Sequence, residues 1–261
     1  MQEMPYTAIH IPTCMGAVVL AYNLPEVKDL KLSGEVVADI YLGKITKWND
    51  AKIKELNPGI TLPDKELTPV YRSDGSGTTF VFSDYLTKVS ANWKENVGTG
   101  KSLKWPVGLA AKGNPGVAGT ISQTPGAIGY IGSEYAFSLN IPMAQMKNSS
   151  GNFITPNTES ISAAAKGDIP ADTRTMITNS DAPDAYPISC FTWIILYKEQ
   201  AYANRTLAQA QATAKLLDWM LSPEAQALTT KVHYSPLPKS AVDNAKALLN
   251  SISFEGKQVL K

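Results

Sequence analysis

Short apolar runs alternate along the chain with amphipathic stretches. Residues 6–11 and 15–22 read as strands, and the second, Met15-Gly-Ala-Val-Val-Leu-Ala-Tyr22, is nearly continuous in apolar character, as a strand covered on both faces should be. Ser33 can cap a helix running to about Leu42, with Val36, Val37, Ile40 and Tyr41 on its apolar side. A short helix near 50–56 stops at the turn signal Asn57-Pro58-Gly59, and Leu67–Tyr71 reads as a strand. The next helix carries Phe80, Val81, Tyr85, Leu86 and Val89 at helical spacing. The middle is loop-rich at Gly98–Gly100, Gly113–Gly116 and Thr124–Gly126, with a helix near 116–123 and a strand at 127–131. A helix over 157–166, a polar stretch around 170–185 and a long strand over 187–198 follow. Leu207, Ala210, Ala214, Leu217 and Leu221 then mark a helix ending before Pro223, which itself suits the first position of another helix, and a last helix spans about 239–250. Strands alternating with helices predict an α/β protein with mostly parallel sheets, the number of sheets being left open by pattern alone.

Composition narrows the function. The 261 residues suffice for one large or two ordinary domains, and 44% hydrophobic with 18% charged residues is the balance of a soluble globular chain. With 24 Lys and Arg against 23 Asp and Glu there is no broad basic field, so nucleic acid is not an expected partner and a charged ligand must be met by a local site. No apolar run approaches the ~20 residues that span a bilayer; Phe191–Tyr197, the best, suits a buried strand. The first residues, Met1 to Pro12, lack a basic segment, carry Glu3 and are interrupted by prolines, which is not a signal peptide. Either the protein is cytoplasmic or a targeting segment has been removed. Cys14 and Cys190 fit no metal-ligand spacing; they read as buried thiols or as a disulfide pair. His10 and His233 are isolated, so neither a zinc site nor a Cys–His pair is expected, and no cofactor is implied. The five tryptophans are scattered and read as core or rim.

One segment carries chemistry: Tyr71-Arg-Ser-Asp-Gly-Ser-Gly-Thr-Thr-Phe80, between an expected strand and an expected helix. Gly75 and Gly77 allow unusual backbone and close approach. Ser76, Thr78 and Thr79 bring hydroxyls, and the first N–H groups of a helix have no intrahelical partners. Beside them, the planar fork of Arg72 can hold two anion oxygens, so the segment reads as an oxyanion cradle. A Walker A loop would need Lys after Gly77, a dinucleotide fingerprint would need Gly at Phe80, and in a nucleophile elbow Ser76 would not have glycine immediately on both sides. What remains is binding without an activated nucleophile, or an ordinary Ser/Gly-rich helix entry with a surface Arg.

Arg72–Phe80 with Phe82-Ser-Asp-Tyr-Leu86 resembles the signature of the periplasmic phosphate-binding proteins of phosphate ABC importers, the PstS family. Further pieces match in the family's order: Gly16–Val19 with Asn23-Leu-Pro25, Ile40–Asn49, Lys112–Gly119, Thr124–Tyr130, and Tyr186-Pro-Ile188 with Phe191-Thr-Trp193. The resemblance runs from about residue 6 to Pro238. It implies a two-lobed periplasmic-binding-protein-like (type II) fold with a hinge, residues 1–21 with 191–261 forming a partial first lobe and 22–190 the second. By the same resemblance Arg72, Ser76, Gly77 and Thr78 contact phosphate, Asp74 pairs with the arginine and holds it, and Gly75 supports the loop. Cys14 and Cys190 would then both lie near the hinge crossovers.

The sequence departs from the family in one respect. Family members carry a further α/β portion of the first lobe, supplying a Thr-Phe loop, a helix-start Ser and a proton-accepting Asp, and none of it precedes Tyr6. The Ser180–Pro183 tetrapeptide looks like part of that segment but stands in the wrong place and reads as a turn. A buried carboxylate that accepts the phosphate proton can discriminate against sulfate by about 10⁴ or more. Without it, the expectation is weak phosphate binding with blunted selectivity, unless a second chain completes the first lobe. The expected role is therefore the solute-binding component of a phosphate importer, outside the cytoplasm, with inorganic phosphate and an ABC permease as partners and no enzymatic activity. A sensor or interaction protein on the same fold and, behind it, a phosphoester hydrolase are the alternatives.

Overall fold

The structure, a computed structural model, describes residues 7–260; residue 6, where the first strand was expected to begin, lies outside the described residues. In chain order the elements are β1 (Ala8–Tyr22), β2 (Lys31–Leu32), α1 (Gly34–Tyr41), α2 (Ala51–Leu56), β3 (Thr68–Arg72), α3 (Gly77–Val89), α4 (Ala91–Asn96), β4 (Leu109–Ala111), α5 (Gly113–Gln123), β5 (Ala127–Gly132) and α6 (Ser133–Leu139). Then come β6 (Gln145–Lys147), β7 (Phe153–Ile154), α7 (Thr158–Ala163), β8 (Ser189–Tyr197), α8 (Leu207–Met220), α9 (Pro223–Leu228), a 3₁₀ turn at Thr229–Val232, α10 (Lys239–Asn250), β9 (Ser253–Phe254) and β10 (Lys257–Gln258).

Contacts divide these elements into two compact units. Of the described residues, one unit holds those up to Met15, Ala165–Met176 and those from Phe191 on; the other holds Gly16–Ala164 and Ile177–Cys190. Residues 16–21 and 165–176 thus fall on the other side of the division from the one expected. Both β1 and β8 begin in one unit and end in the other.

The sheets are mixed rather than mostly parallel. The five-stranded sheet has the order β4-β3-β5-β1-β8. In it β3 is parallel to β4 and β5, while β1 is antiparallel to β5 in the register Val18↔Gly132 to Tyr22↔Ile128. Strand direction escaped the sequence because a strand covered on both faces reads as one apolar run whichever way its neighbour points. A three-stranded sheet, β2-β6-β7, and the β9-β10 hairpin are separate. The two strands expected at 6–11 and 15–22 are one continuous strand: proline's fixed φ is compatible with extended backbone, so Pro12 removes a donor without ending β1.

Local signals explain most boundaries. Ser33 caps α1 by accepting from the Val36 amide, and Asn157 and Ser160 form a capping box at α7. Pro223 opens α9 behind the Ser222 cap. Thr124-Pro-Gly-Ala127 is a turn closed by the Ala127 amide donating to the Thr124 carbonyl at 3.0 Å, with Gly126 at φ +87°. Proline second and a positive-φ glycine third is the type II pattern. Gly129 in β5 has a different reason: a Cβ there would stand 2.7 Å from Ile121 Cδ1, so the missing side chain lets α5 lie close on the strand. The larger unit is cored by aromatic side chains, with Tyr22, Tyr41, Trp48, Phe82, Trp93 and Tyr130 all under 2–3% exposed. Trp219 is instead 47% exposed, so it is not a core residue.

One expectation fails in the smaller unit. Phe191 is buried, but Ile194 and Ile195 are 37% and 59% exposed, so the apolar run of β8 is not a buried strand. Composition states what a strand would gain by burial; it does not supply the surface that would cover it.

Candidate functional site

Strand β3 ends at Arg72 and helix α3 begins at Gly77, leaving Ser73–Ser76 as the connection. The connection is pinned by backbone: the Ser73 amide donates to the Ala111 carbonyl and the Ser76 amide to the Lys101 carbonyl, both at 2.9 Å. Ser76 is the N-cap of α3, buried, with extended backbone and its Oγ accepting from the Thr79 amide at 3.2 Å. The amides of Gly77 and Thr78, the first two of the helix, have no acceptor among the described residues, nor does the Thr78 hydroxyl have a partner there. Ser76 Oγ keeps its own proton to donate. These groups, at the positive end of the α3 dipole, form a set of donors turned away from the helix.

The glycines contribute less backbone freedom than expected. Neither Gly75 nor Gly77 has a positive φ. A Cβ at Gly77 would meet nothing within 4 Å, so what glycine gives there is an uncovered amide rather than a strained turn.

Arg72 is largely buried and held in one orientation. Its Nε donates to Asp74 Oδ1 at 2.8 Å and its Nη2 to Asp74 Oδ2 at 2.6 Å, a bidentate pair. Nη1 donates to Asn114 Oδ1 at 3.1 Å. One N–H bond remains on each terminal nitrogen, so the fork expected to face an anion is reduced to that end-on pair. Asp74 has a second task, since its Oδ1 also accepts from the Gly113 amide at 3.0 Å and so caps α5. The Arg72 side chain, with the Gly113 amide adding to it, holds the Asp74 carboxyl well below the usual carboxylate range, and the same pairing raises the guanidinium.

Behind the loop stands Tyr130 of β5. Its hydroxyl accepts from the Arg72 amide at 3.0 Å and shares a proton with Thr79 Oγ1 at 2.7 Å. Burial pushes the phenol up to about 12, so this hydroxyl stays neutral. The ring stacks on Phe82 of α3, with centroids 4.3 Å apart, and on Trp105 at 5.6 Å. Phe82, absent from the helical face expected for α3, is fully buried, and Phe80 is only half-buried.

The structure therefore brings Arg72, Asp74, Gly75, Ser76, Gly77 and Thr78 together on one β–α connection, as their adjacency dictates. Asn114 and Tyr130 complete the setting and were not singled out from sequence. Both lie in segments noted for their turns or their apolar run, and nothing local marked them as partners of Arg72. Cys14 lies on β1 and Cys190 on β8, and both are half-buried rather than buried.

This fold and loop define a class. A family model for the PBP superfamily domain matches residues 4–224, and the chain belongs to that superfamily. Within it, the chain belongs to the PstS phosphate-binding proteins. It is 40% identical over 244 residues to the phosphate-binding protein PstS of Pasteurella multocida, covering 92% of this chain and 70% of that one. It is 41% identical to the PstS of Xylella fastidiosa, covering 90% and 65%, and 38% identical to that of Methanocaldococcus jannaschii, covering 94% and 67%. The chain thus spans about two thirds of the length of these relatives. Solved structures agree on the fold. A high-affinity periplasmic phosphate-binding protein, bound with phosphate, superposes with a TM-score of 0.71 at 22% identity over 94% of this chain and 73% of that one. A phosphate-binding protein from Stenotrophomonas maltophilia gives 0.66 at 18%, over 92% and 70%. Among the described residues no helix is long and apolar enough to cross a membrane.

Proposed function

We propose that this chain binds inorganic phosphate at the mouth of α3 and serves as the solute-binding component of a phosphate ABC importer, outside the cytoplasm. The observation that carries the reading is the matched set of unused donors: the Gly77 and Thr78 amides, the Ser76 and Thr78 hydroxyls, and the two remaining N–H bonds of Arg72. A small tetrahedral oxyanion presents acceptors in several directions and no apolar face, which suits such a set. Asp74 keeps Arg72 pre-oriented, so little side-chain entropy is lost when an anion arrives. The family's name for its members, phosphate-binding protein, supports the choice of phosphate over other oxyanions. The chemistry is capture and release: the site offers donors, and no group in it is poised to attack an ester. A permease that receives the loaded protein is the partner this role requires.

Isothermal calorimetry of the purified chain against phosphate and sulfate tests the reading. Phosphate is expected to bind, with sulfate only modestly weaker. Arg72→Ala should weaken phosphate by ~10–100-fold, the loss of hydrogen bonds to a charged ligand. Undiminished binding by Arg72→Ala, or no phosphate binding at all, would overturn the assignment.

A further inference from the structure

The larger unit carries a second concavity, an open cleft of about 530 Å³ lined by Leu42, Lys44, Asn96, Lys104, Trp105 and Pro106. None of these residues belongs to the loop from Arg72 to Thr78, and the size is that of a small-molecule site. Its charge is one-sided. Two lysines line it and no carboxylate does. Lys104 is exposed and has no acidic partner among the described residues. Lys44 reaches only Asp39, at 3.8 Å, and that carboxylate is already held by Lys52 at 2.5 Å. Two positive charges therefore share one cleft in a chain whose net charge is only +1. Asn96 spends its Nδ2 on the Asn92 carbonyl at 2.8 Å, which leaves its Oδ1 to accept. The rest of the lining, Leu42, Trp105 and Pro106, is apolar.

The apolar wall is fixed in place. Trp105 is half-buried; its ring stacks on Tyr71 with centroids 5.0 Å apart and packs against Tyr41, Trp93 and Tyr130 at 5.5, 5.8 and 5.6 Å. The two loops that supply the lysines are pressed together as well. A Cβ at Gly43, whose φ is +74°, would stand 2.8 Å from Val107 Cγ1. We propose that this cleft binds a small organic anion, its planar apolar body against Leu42, Trp105 and Pro106 and its carboxylate or phosphate group held by Lys44 and Lys104. Inorganic phosphate fits the cleft poorly, since an ion with no apolar surface leaves that wall uncovered. A flat ring covers it, and an indole already held by four aromatic neighbours loses little freedom when the ring arrives. Lysine ammoniums act as point charges and take either head group. A hydroxyl on the ring finds its acceptor in Asn96 Oδ1. The inference does not rest on phosphate binding at α3, so either can fail alone.

The test is a nuclear magnetic resonance titration of the nitrogen-15-labelled chain, with and without inorganic phosphate at constant ionic strength. The probes are 4-hydroxybenzoate and phenyl phosphate, with 4-hydroxybenzamide as the uncharged control, and Trp105→Phe assigns the indole signal. The expected result is a saturable shift of the Trp105 indole N–H and the Asn96 side-chain amide with at least one of the two anions, persisting when phosphate is present. The uncharged amide should bind ~10-fold more weakly, and Lys104→Ala should weaken the anion by ~10-fold, the worth of one hydrogen bond to a charged group. Lys54→Ala, at an exposed lysine of the same unit that does not line the cleft, should leave binding unchanged. Lys104 is exposed, so its removal leaves the fold intact, and the unchanged remainder of the spectrum verifies that. The inference is overturned if neither anion gives a saturable shift, if the uncharged amide binds as well, or if Lys104→Ala binds like the wild-type chain. It is overturned too by shifts confined to the Gly77 and Thr78 amides and abolished by phosphate, which would place the anion at the α3 loop instead.

Discussion

Arg72 donates to Asp74 through two nitrogens and to Asn114 through a third, while its backbone amide donates to Tyr130. Each contact removes a rotamer that an unrestrained arginine would visit, so the guanidinium is placed before a ligand arrives. Removing Asn114 Oδ1 releases one terminal nitrogen without touching the Asp74 pair. Asn114→Ala should therefore weaken phosphate binding by ~10-fold, the worth of one hydrogen bond to a charged group, with little change in melting temperature; calorimetry and thermal denaturation together check it. The loop from Arg72 to Thr78 was legible because its chemistry is contiguous: an arginine, a carboxylate and hydroxyls within seven positions of one helix start. Asn114 and Tyr130 were not, because their role exists only once β3, β5 and α5 are packed side by side.

Among the elements, α5 shows how tertiary contact moves a boundary. The sequence Gly113-Asn-Pro-Gly116 reads as a loop and the helix was expected from about 116, yet α5 starts at Gly113. Lys112, its N-cap, offers no side-chain acceptor, and the cap comes instead from Asp74, distant in sequence. The turn into β5 is the opposite case, decided locally by Pro125 and Gly126. There the Gly126 carbonyl accepts from Trp48 Nε1 at 2.9 Å, and a Cβ would stand 2.4 Å from the Glu66 carbonyl oxygen. Gly126→Ala meets both a positive φ and a backbone clash, so it should destabilise the protein by ~1–3 kcal/mol, read from urea denaturation. At the C-terminal hairpin, Glu255 and Gly256 both have positive φ, the two-residue type I′ pattern between β9 and β10. Glu199 holds this turn: it accepts from Ala201 N, Ser253 Oγ, Glu255 N and Gly256 N. These donors, the Ala201 amide first, draw its carboxyl from 4.5 down to about 2. Because the folded value is depressed, the carboxylate's contribution is complete above about 4.5 and is lost as pH falls toward about 2. Glu199→Gln should lower stability at pH 7 and flatten that acid limb, measured by denaturation at successive pH values.

For the whole molecule, a ligand that binds only the folded chain must stabilise it. Phosphate at a hundred times its dissociation constant should add ~2.7 kcal/mol and raise the melting temperature, and Arg72→Ala at the same phosphate concentration should show a much smaller rise. Equal rises in the two proteins would point to a general salt effect. The sequence by itself determined what is local: the caps of α1 and α9, the type II turn at Pro125-Gly126, the extent of α10, the α/β alternation, and a loop whose hydrogen-bond donors are neighbours in the chain. These follow from backbone conformation and hydrogen bonding within a few residues, which no distant contact needs to supply. Only the tertiary structure decided the antiparallel β1–β5 pairing, the division of the chain into its two units, the early start of α5, the partners that fix Arg72, and the exposure of β8. Each of these depends on which segments lie beside one another, and an apolar residue records a preference for burial without naming the surface that will meet it.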